Sequence, residues 1–232
     1  MSHDPRSAPA ITLLGGAALP ERALDRALAR APRLIAVDGG ADRALAAGLV
    51  PELAIGDFDS ISDQARRRLG PARLMHRQGQ DNTDFDKALA HVLEEGTAPF
   101  ILGLGFSGAR LDHTLAGMST LLRNPGARLL IDTGADLCFL CPPRLALTLA
   151  RGSRLSLYPM RPLRCASAGL HWPTDGLVLD PCGMIGTSNL VADSAVTLRP
   201  DQPALLVLLP VEALDAALAA LMAAPSWPDA CA

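Results

Sequence analysis

Three short acidic segments follow one another along the chain, and their residue types suggest a common chemistry. They are Gly56-Asp57-Phe58-Asp59-Ser60, Gln80-Asp81-Asn82-Thr83-Asp84-Phe85 and Gly108-Ala109-Arg110-Leu111-Asp112-His113. Each segment falls where a predicted strand gives way to a loop or a helix. Carboxylates have little structural purpose at such edges, but they are suitable ligands for Mg²⁺ that carries a polyphosphate. The segments therefore predict a magnesium site that handles phosphate groups.

The first segment places two carboxylates directly after the predicted strand Leu53–Ile55. Asp57 and Asp59 are two residues apart, and side chains at this spacing point to the same side of an extended backbone. Both could then face one cation, with Gly56 allowing the backbone to pass close by. The alternative is a polar turn, because Asp and Ser are also common turn residues.

The second segment opens a predicted helix, Thr83–Glu95. Free N–H groups at a helix N-terminus can bind a phosphate. Asp81 and Asp84 would add metal ligands there, and Lys87 lies one turn further on. The alternative is helix capping, with Asp81 as the N-cap and Asp84 as the residue at N3, both stabilising the helix start.

The third segment joins a glycine-rich loop to the predicted helix Leu111–Leu122. Arg110 offers a planar pair of donors that matches phosphate oxygens. Asp112 could be a further helix cap or could position Arg110 or a substrate. This segment therefore predicts a second contribution to phosphate binding.

Short aliphatic runs alternate with segments of helical period as far as about residue 140. This alternation predicts βαβ units and a mainly parallel, doubly wound sheet, whose ligands bind beyond the carboxyl ends of the strands. The predicted strands are Ile11–Leu14, Leu34–Val37, Leu53–Ile55, Arg73–Met75, Phe100–Leu102, Arg128–Ile131 and Leu137–Leu140. The other predicted helices are Pro20–Arg30, Asp42–Ala47 and Ser62–Leu69. All three acidic segments fall at such strand ends.

The pattern changes after Cys141-Pro142-Pro143, where short runs are separated by Gly, Pro, Ser and Asp. This predicts an antiparallel β-sandwich that ends in a helix over Val211–Ala223. The predicted strands there are Leu145–Leu149, Arg154–Tyr158, Gly176–Leu179, Ala195–Leu198 and Ala204–Leu209. We therefore predict a flexible N-terminus over residues 1–9, an α/β catalytic domain over 10–143 and a β-sandwich domain over 144–232.

Composition argues against two classes of partner. The formal net charge is −3 and no long basic run occurs, so nucleic-acid binding is not expected. No apolar stretch approaches the ~20 residues of a membrane span. The run Ala10–Leu19 is interpreted as a strand and a glycine turn rather than as a signal peptide.

The five cysteines are an odd number without a disulfide framework, which is typical of a reducing compartment. We therefore expect a cytoplasmic protein. Cys138 and Cys141 form a C-x-x-C, but no second pair follows at zinc spacing, so two thiols at a strand end are the preferred interpretation.

Taken together, the motifs resemble the thiamine pyrophosphokinase family. Its pattern D-G-G-A, G-D-F-D-S, Q-D-x-T-D-F-x-K and G-G-R-x-D-H is followed here, in order, from Asp38 to His113, with one glycine of the last motif replaced. Weaker similarity continues through Gly169-Leu170-His171-Trp172 and Gly186-Thr187-Ser188-Asn189. The resemblance implies an α/β domain followed by a β-sandwich, and a homodimer with sites formed between subunits. It also implies Mg²⁺-dependent transfer of pyrophosphate from ATP to thiamine, which yields thiamine diphosphate and AMP.

The resemblance also implies roles for residues of this chain. The metal and catalytic carboxylates would be Asp57, Asp59, Asp81 and Asp84, with Arg110 neutralising phosphate charge. ATP would be bound by Thr83, Lys87, Arg110 and Asp112. Thiamine would be bound by Trp172, Ser188 and Asn189.

The chain departs from the family pattern at a few positions. Asp42 and Gly117 stand where Asn is common, and Ala109 replaces a glycine. Three other functions stay open: a pyrophosphokinase for another alcohol such as a pterin, a Mg²⁺-dependent phosphohydrolase, and a non-catalytic thiamine-binding protein.

Overall fold

The computed structural model describes residues 8–79, 82–108 and 110–228. It divides into two compact units. The first comprises the described residues up to Thr120 together with Ile131–Thr133. The second comprises Leu121–Leu130 and the described residues from Gly134 onward. Most of the predicted flexible N-terminus lies outside the described residues.

The first unit alternates strands and helices, as the hydrophobic pattern predicts. Its strands are β1 Ile11–Leu14, β2 Arg33–Val37, β3 Leu53–Gly56, β4 Leu74–His76 and β5 Ile101–Leu104, and β6 Leu129–Asp132 ends in it. Its helices are α1 Ala23–Leu28, α2 Gly40–Ala46, α3 Asp63–Leu69, α4 Asp84–Glu95 and the greater part of α5 Leu111–Arg123.

The strand order is β6-β5-β1-β2-β3-β4, and the pairs from β5 to β4 are parallel. Every residue of β1 and β5 is buried, which explains their continuous apolar character. In β2 and β3, Val37 pairs with Ile55. The residues that follow these two strands therefore emerge side by side at the carboxyl edge of the sheet, where α/β proteins bind ligands.

The second unit consists mainly of antiparallel strands. These are β7 Asp136–Leu140, β8 Leu145–Thr148, β9 Arg154–Pro159, β10 Cys165–Ala168, β11 Gly186–Leu190, β12 Ala195–Pro200 and β13 Leu205–Pro210. Strands β11, β9, β13 and β7 are adjacent in that order, and β10, β12 and β8 form a separate antiparallel sheet. A short 3₁₀ turn over Val211–Ala213 leads into α6 Leu214–Ala223.

Some sequence predictions for this unit are wrong. No strand forms over Gly176–Leu179, where the structure has only an isolated bridge between Leu163 and Leu179. Strand β11 was missed because its polar Gly-Thr-Ser-Asn sequence is typical of a turn. It nevertheless pairs with β9, with a shift in register between Gly186 and Asn189.

Within the described part of the chain, no helix is both long enough and apolar enough to cross a membrane.

Candidate active site

Three carboxylates meet where β2 and β3 end. Asp38 follows β2, whereas Asp57 and Asp59 follow β3. One oxygen from each of the three side chains lies within 4.8 Å of the others. Oxygens at this separation can share one small divalent cation and its bound waters.

Asp38 is the buried member of this group, with an exposed fraction of 7%. Its Oδ2 accepts a hydrogen bond of 3.2 Å from the Ser60 backbone N–H, whereas Oδ1 has no hydrogen-bond partner among the described residues. Burial raises the pKa of Asp38, partly offset by the Ser60 hydrogen bond, and the negative charges of Asp84 and Asp59 raise it further. A buried carboxylate oxygen without a partner is costly, so the arrangement suits a bound cation.

The approach of Asp38 to β3 depends on a glycine. A Cβ added to Gly56 would lie 3.0 Å from the Asp38 Cβ, so a larger residue would force the two strand ends apart. Gly56 therefore allows carboxylates from neighbouring strands to share one location.

Asp57 and Asp59 come together through a turn and not through the extended backbone that was predicted. Phe58 between them has a φ of 66°, so the segment is a left-handed turn and the expectation of extended backbone is wrong. The turn is closed by the Asp59 N–H, which donates to Asp57 Oδ1 at 3.3 Å. Ser60 Oγ donates to Asp59 Oδ1 at 2.8 Å. The polar turn and the convergence of carboxylates therefore occur together.

Lys87 links Asp84 to this cluster. Its Nζ lies 2.9 Å from Asp84 Oδ1 and 3.7 Å from Asp57 Oδ2. Burial opposes the charge of Lys87, but the hydrogen bond and charge of Asp84, followed by those of Asp57, raise its pKa overall. Of the four predicted metal carboxylates, Asp57 and Asp59 thus meet directly and Asp84 pairs with Lys87. Asp81 lies outside the described residues.

The start of α4 is fixed by Thr83 and Asp86. Thr83 is the N-cap, and its hydroxyl accepts a hydrogen bond from the Asp86 N–H at 3.2 Å. Asp86 Oδ2 accepts from the Thr83 N–H at 3.1 Å and from its hydroxyl at 2.8 Å. This capping box makes Thr83 the N-cap and Asp86 the N3 residue, so the alternative that gives those positions to Asp81 and Asp84 is wrong. It leaves Asp84 in the first turn, directed at Lys87.

Arg110 and Asp112 form an exposed pair at the start of α5. Arg110 Nη2 donates to Asp112 Oδ2 at 2.6 Å and Arg110 Nε to Oδ1 at 3.3 Å. Their hydrogen bonds and opposite charges raise the pKa of Arg110 and lower that of Asp112. Both side chains remain open to solvent, so Arg110 is accessible to an anionic ligand.

Asp42, which departs from the family pattern, has a structural role. Its carboxylate accepts hydrogen bonds from the Ser62 backbone N–H, at 2.8 Å, and from the Ser62 hydroxyl. That hydroxyl in turn caps α3 by accepting from the Ala65 N–H at 3.1 Å. An acidic residue at position 42 therefore stabilises α3, the helix that follows the turn formed by Asp57, Phe58 and Asp59.

Comparison with known proteins gives a family match over the segment that holds this cluster. The model of the thiamin pyrophosphokinase catalytic domain matches residues 24–131, which contain all of the acidic cluster. The chain belongs to the thiamin pyrophosphokinase family.

Individual members of the family show the extent of the similarity. Thiamine pyrophosphokinase of Bacillus subtilis (strain 168) is 41% identical over 93 residues, which cover 38% of this chain and 42% of that protein. Thiamin pyrophosphokinase 1 of Caenorhabditis elegans is 30% identical over 168 residues, or 64% of this chain and 66% of the relative. The alignments thus span less than half of the first relative and about two thirds of the second.

The fold is also found in solved structures. The crystal structure of thiamine pyrophosphokinase from Bacillus subtilis matches with a TM-score of 0.72 at 24% identity, covering 87% of this chain and 98% of that chain. A mainly parallel α/β sheet combined with a separate antiparallel sheet is therefore shared with that structure.

The three residues that the family resemblance implicates in thiamine binding differ in their surroundings. Trp172 is exposed and lies edge-on to His171, with ring centroids 4.4 Å apart. Ser188 is also exposed and has a φ of 59°. Asn189 is buried, and its side chain bonds both backbone groups of Trp172: Oδ1 accepts from the N–H at 3.2 Å, and Nδ2 donates to the carbonyl at 2.7 Å. Asn189 therefore positions Trp172.

Asp38 is the site residue that sequence reasoning missed. It was visible only as the first residue of the Asp38-Gly39-Gly40-Ala41 match. A signal existed, because Asp38 follows β2 as Asp57 follows β3, and adjacent parallel strands bring such residues together.

Proposed function

We propose that this protein is a thiamine pyrophosphokinase that transfers pyrophosphate from ATP to the hydroxyl of thiamine, yielding thiamine diphosphate and AMP. The observation that carries the proposal is the meeting of Asp38, Asp57 and Asp59 within 4.8 Å at the carboxyl edge of a parallel sheet. The names of the relatives give the substrate. The alternative phosphohydrolase and binding-protein functions have no comparable support.

Asp38, Asp57 and Asp59 would hold Mg²⁺. When bound, the ion would neutralise charge on the transferred phosphate groups. Mg²⁺ commonly takes one or two carboxylates directly and keeps several waters, so part of the cluster would contact those waters. Asp84 would act through Lys87, and Asp81 remains a proposed ligand from the family motif.

The protein's own cations would bind and align the phosphates. Lys87 lies beside the carboxylate cluster and Arg110 is accessible at the start of α5. The N-terminus of α4 adds free N–H groups, and Thr83 holds this end of the helix in place. Asp112 would orient Arg110 through their paired hydrogen bonds. A carboxylate of the cluster would accept the proton of the thiamine hydroxyl as it attacks the β-phosphorus.

Trp172 would pack against a ring of thiamine and Ser188 would contact it, with Asn189 fixing the Trp172 backbone. We propose a division of labour in which residues 10–143 form a doubly wound catalytic domain and residues 144–232 a thiamine-binding β-sandwich.

A homodimer in the cytoplasm is part of the same proposal. The exposed apolar side chains of Trp172, Met184 and Val178 support self-association. Cys141 and Cys165, which are buried thiols outside any disulfide, support a reducing compartment.

The direct test is to incubate the protein with MgATP and thiamine and to identify the products. Thiamine diphosphate with AMP is expected. Thiamine monophosphate with ADP would contradict attack at the β-phosphorus, and phosphate release without thiamine would indicate a hydrolase.

The carboxylate cluster is tested by Asp57→Asn. Thiamine-dependent AMP release should fall on the order of 10²-fold or more, because the amide cannot replace a charged metal ligand. Asp63→Asn, the same change at an exposed position in the first turn of α3, is the matched control and should keep normal turnover.

A further inference from the structure

Phe58 separates Asp57 from Asp59 and adopts a backbone conformation that L-residues disfavour. Its φ of 66° lies in the left-handed region, where the Cβ of an L-residue is crowded against the following carbonyl oxygen. The conformation lets the Asp59 N–H reach Asp57 Oδ1 and brings both carboxylates to Asp38. The cluster therefore requires that Phe58 be held in this conformation.

Arg66 of α3 contacts Phe58 at two points. Arg66 Nη2 donates a hydrogen bond to the Phe58 carbonyl, which is part of the strained peptide. The guanidinium carbon of Arg66 also lies 5.9 Å from the centroid of the Phe58 ring. One side chain thus engages both the backbone and the ring of the residue between the two carboxylates.

The surroundings of Phe58 add further restraint. Its ring packs against the buried cluster that includes Ala65 and Leu69 of α3, and it stacks with His76 at a centroid distance of 5.6 Å. The ring position is therefore set by the core, whereas the orientation of the carbonyl depends on its hydrogen bond with Arg66.

We infer that Arg66 is a positioning residue of the metal site: by holding the Phe58 peptide in its left-handed conformation, it keeps Asp57 and Asp59 directed at one divalent cation. The inference rests on the proposed function, in which these carboxylates hold Mg²⁺. It gives Arg66 no contact with substrate or metal.

The test is Mn²⁺ binding by the purified full-length protein, measured from the electron paramagnetic resonance of free Mn²⁺. Mn²⁺ shares the preference of Mg²⁺ for oxygen ligands. Arg66→Met keeps the aliphatic stem but removes the donors, and it should weaken Mn²⁺ binding about tenfold. Arg66→Lys keeps the charge and one donor group, so it should restore part of the affinity.

Arg67→Met is the matched control, because it makes the same change at the next residue of α3, where the side chain is exposed. Its Mn²⁺ affinity should equal that of the wild type. Wild-type affinity in Arg66→Met would overturn the positioning role and leave the proposed function intact. A wild-type protein that binds no Mn²⁺ would instead count against the metal site itself. If Arg66→Met does not fold, the Mn²⁺ affinity of Arg66→Lys is compared with that of Arg67→Lys. Weaker binding by Arg66→Lys supports the positioning role, and equal binding overturns it.

Discussion

Lys87 Nζ lies 2.9 Å from Asp84 Oδ1, and the Lys87 side chain is only 10% exposed. The same ammonium lies 3.7 Å from Asp57 Oδ2. The protein thus supplies a fixed cation to its acidic cluster before any ligand binds. This cation offsets part of the repulsion among Asp38, Asp57, Asp59 and Asp84.

Replacing Lys87 by Met should lower the free energy of unfolding by about 1–3 kcal/mol in the absence of divalent cations, because Asp84 loses its partner. Added Mg²⁺ should raise the melting temperature of this variant more than that of the wild type, since the ion can supply the missing positive charge. Thermal melts with Mg²⁺ or with chelator measure both effects. Arg77→Met, which removes a cation from the exposed pair with Glu94, is the control and should show neither effect.

Asp38 provides a prediction about pH, because its folded-state pKa is raised above the unfolded value of 3.8, first by burial and then by Asp84 and Asp59. The metal-free fold therefore favours the protonated form of Asp38 more than the unfolded chain does. Below pH 3.8 Asp38 is protonated in both the folded and the unfolded state, so it costs no stability. As the pH rises from there through the folded pKa, ionisation of Asp38 lowers the free energy of unfolding. At neutral pH the whole cost is present.

Asp38→Asn should therefore stabilise the metal-free protein at pH 7, while its amide oxygen still accepts from the Ser60 N–H. The gain over the wild type should shrink as the pH is lowered through the raised pKa. Urea unfolding with chelator present measures it, and Asp63→Asn is the control. The same variant should lose Mn²⁺ binding. If Asp38→Asn is less stable than the wild type at pH 7, this account of Asp38 is contradicted.

The sequence predicted the first unit well because its strands are aliphatic runs that obey simple rules. Strand β1 has the predicted limits, Ile11–Leu14, and β3 extends the prediction by one residue, to Gly56. The order of the strands and the pairing of β7 with β13 could not be predicted, because they depend on contacts distant in sequence.

The meeting of Asp57 with Asp59 could be predicted because both lie in one segment, whereas Asp38 was missed because it comes from a neighbouring strand. Asp57 and Asp59 lie two residues apart in sequence, whereas Asp38 reaches them through the pairing of Val37 with Ile55. The left-handed turn at Phe58 was also unpredictable, because Phe does not favour that conformation and contacts from α3 hold it. Strand β11 was missed because its residues are polar and therefore show no alternation of apolar and polar side chains.

Asn189 leads to a prediction for the second unit. Replacing Asn189 by Ala removes both hydrogen bonds to the Trp172 backbone, so the free energy of unfolding should fall by about 1–3 kcal/mol. The freed Trp172 should also raise the KM for thiamine more than that for ATP. Chemical unfolding and steady-state kinetics measure the two effects. Ser188→Ala alters an exposed side chain and should change stability by less than about 0.5 kcal/mol.

Arg110 allows function to be separated from folding. It pairs with Asp112 at the surface, where both side chains are largely exposed, at 70% and 64%. Exposed ion pairs contribute little to stability, so Arg110→Gln should leave the melting temperature unchanged. If Arg110 neutralises phosphate charge, the variant should lose on the order of 10²-fold in kcat/KM for ATP, whereas Arg123→Gln, at the other end of α5, should not. Asp112→Asn should have a smaller effect, because it frees Arg110 without removing its charge. An Arg110→Gln enzyme with wild-type kcat/KM would remove Arg110 from the phosphate site.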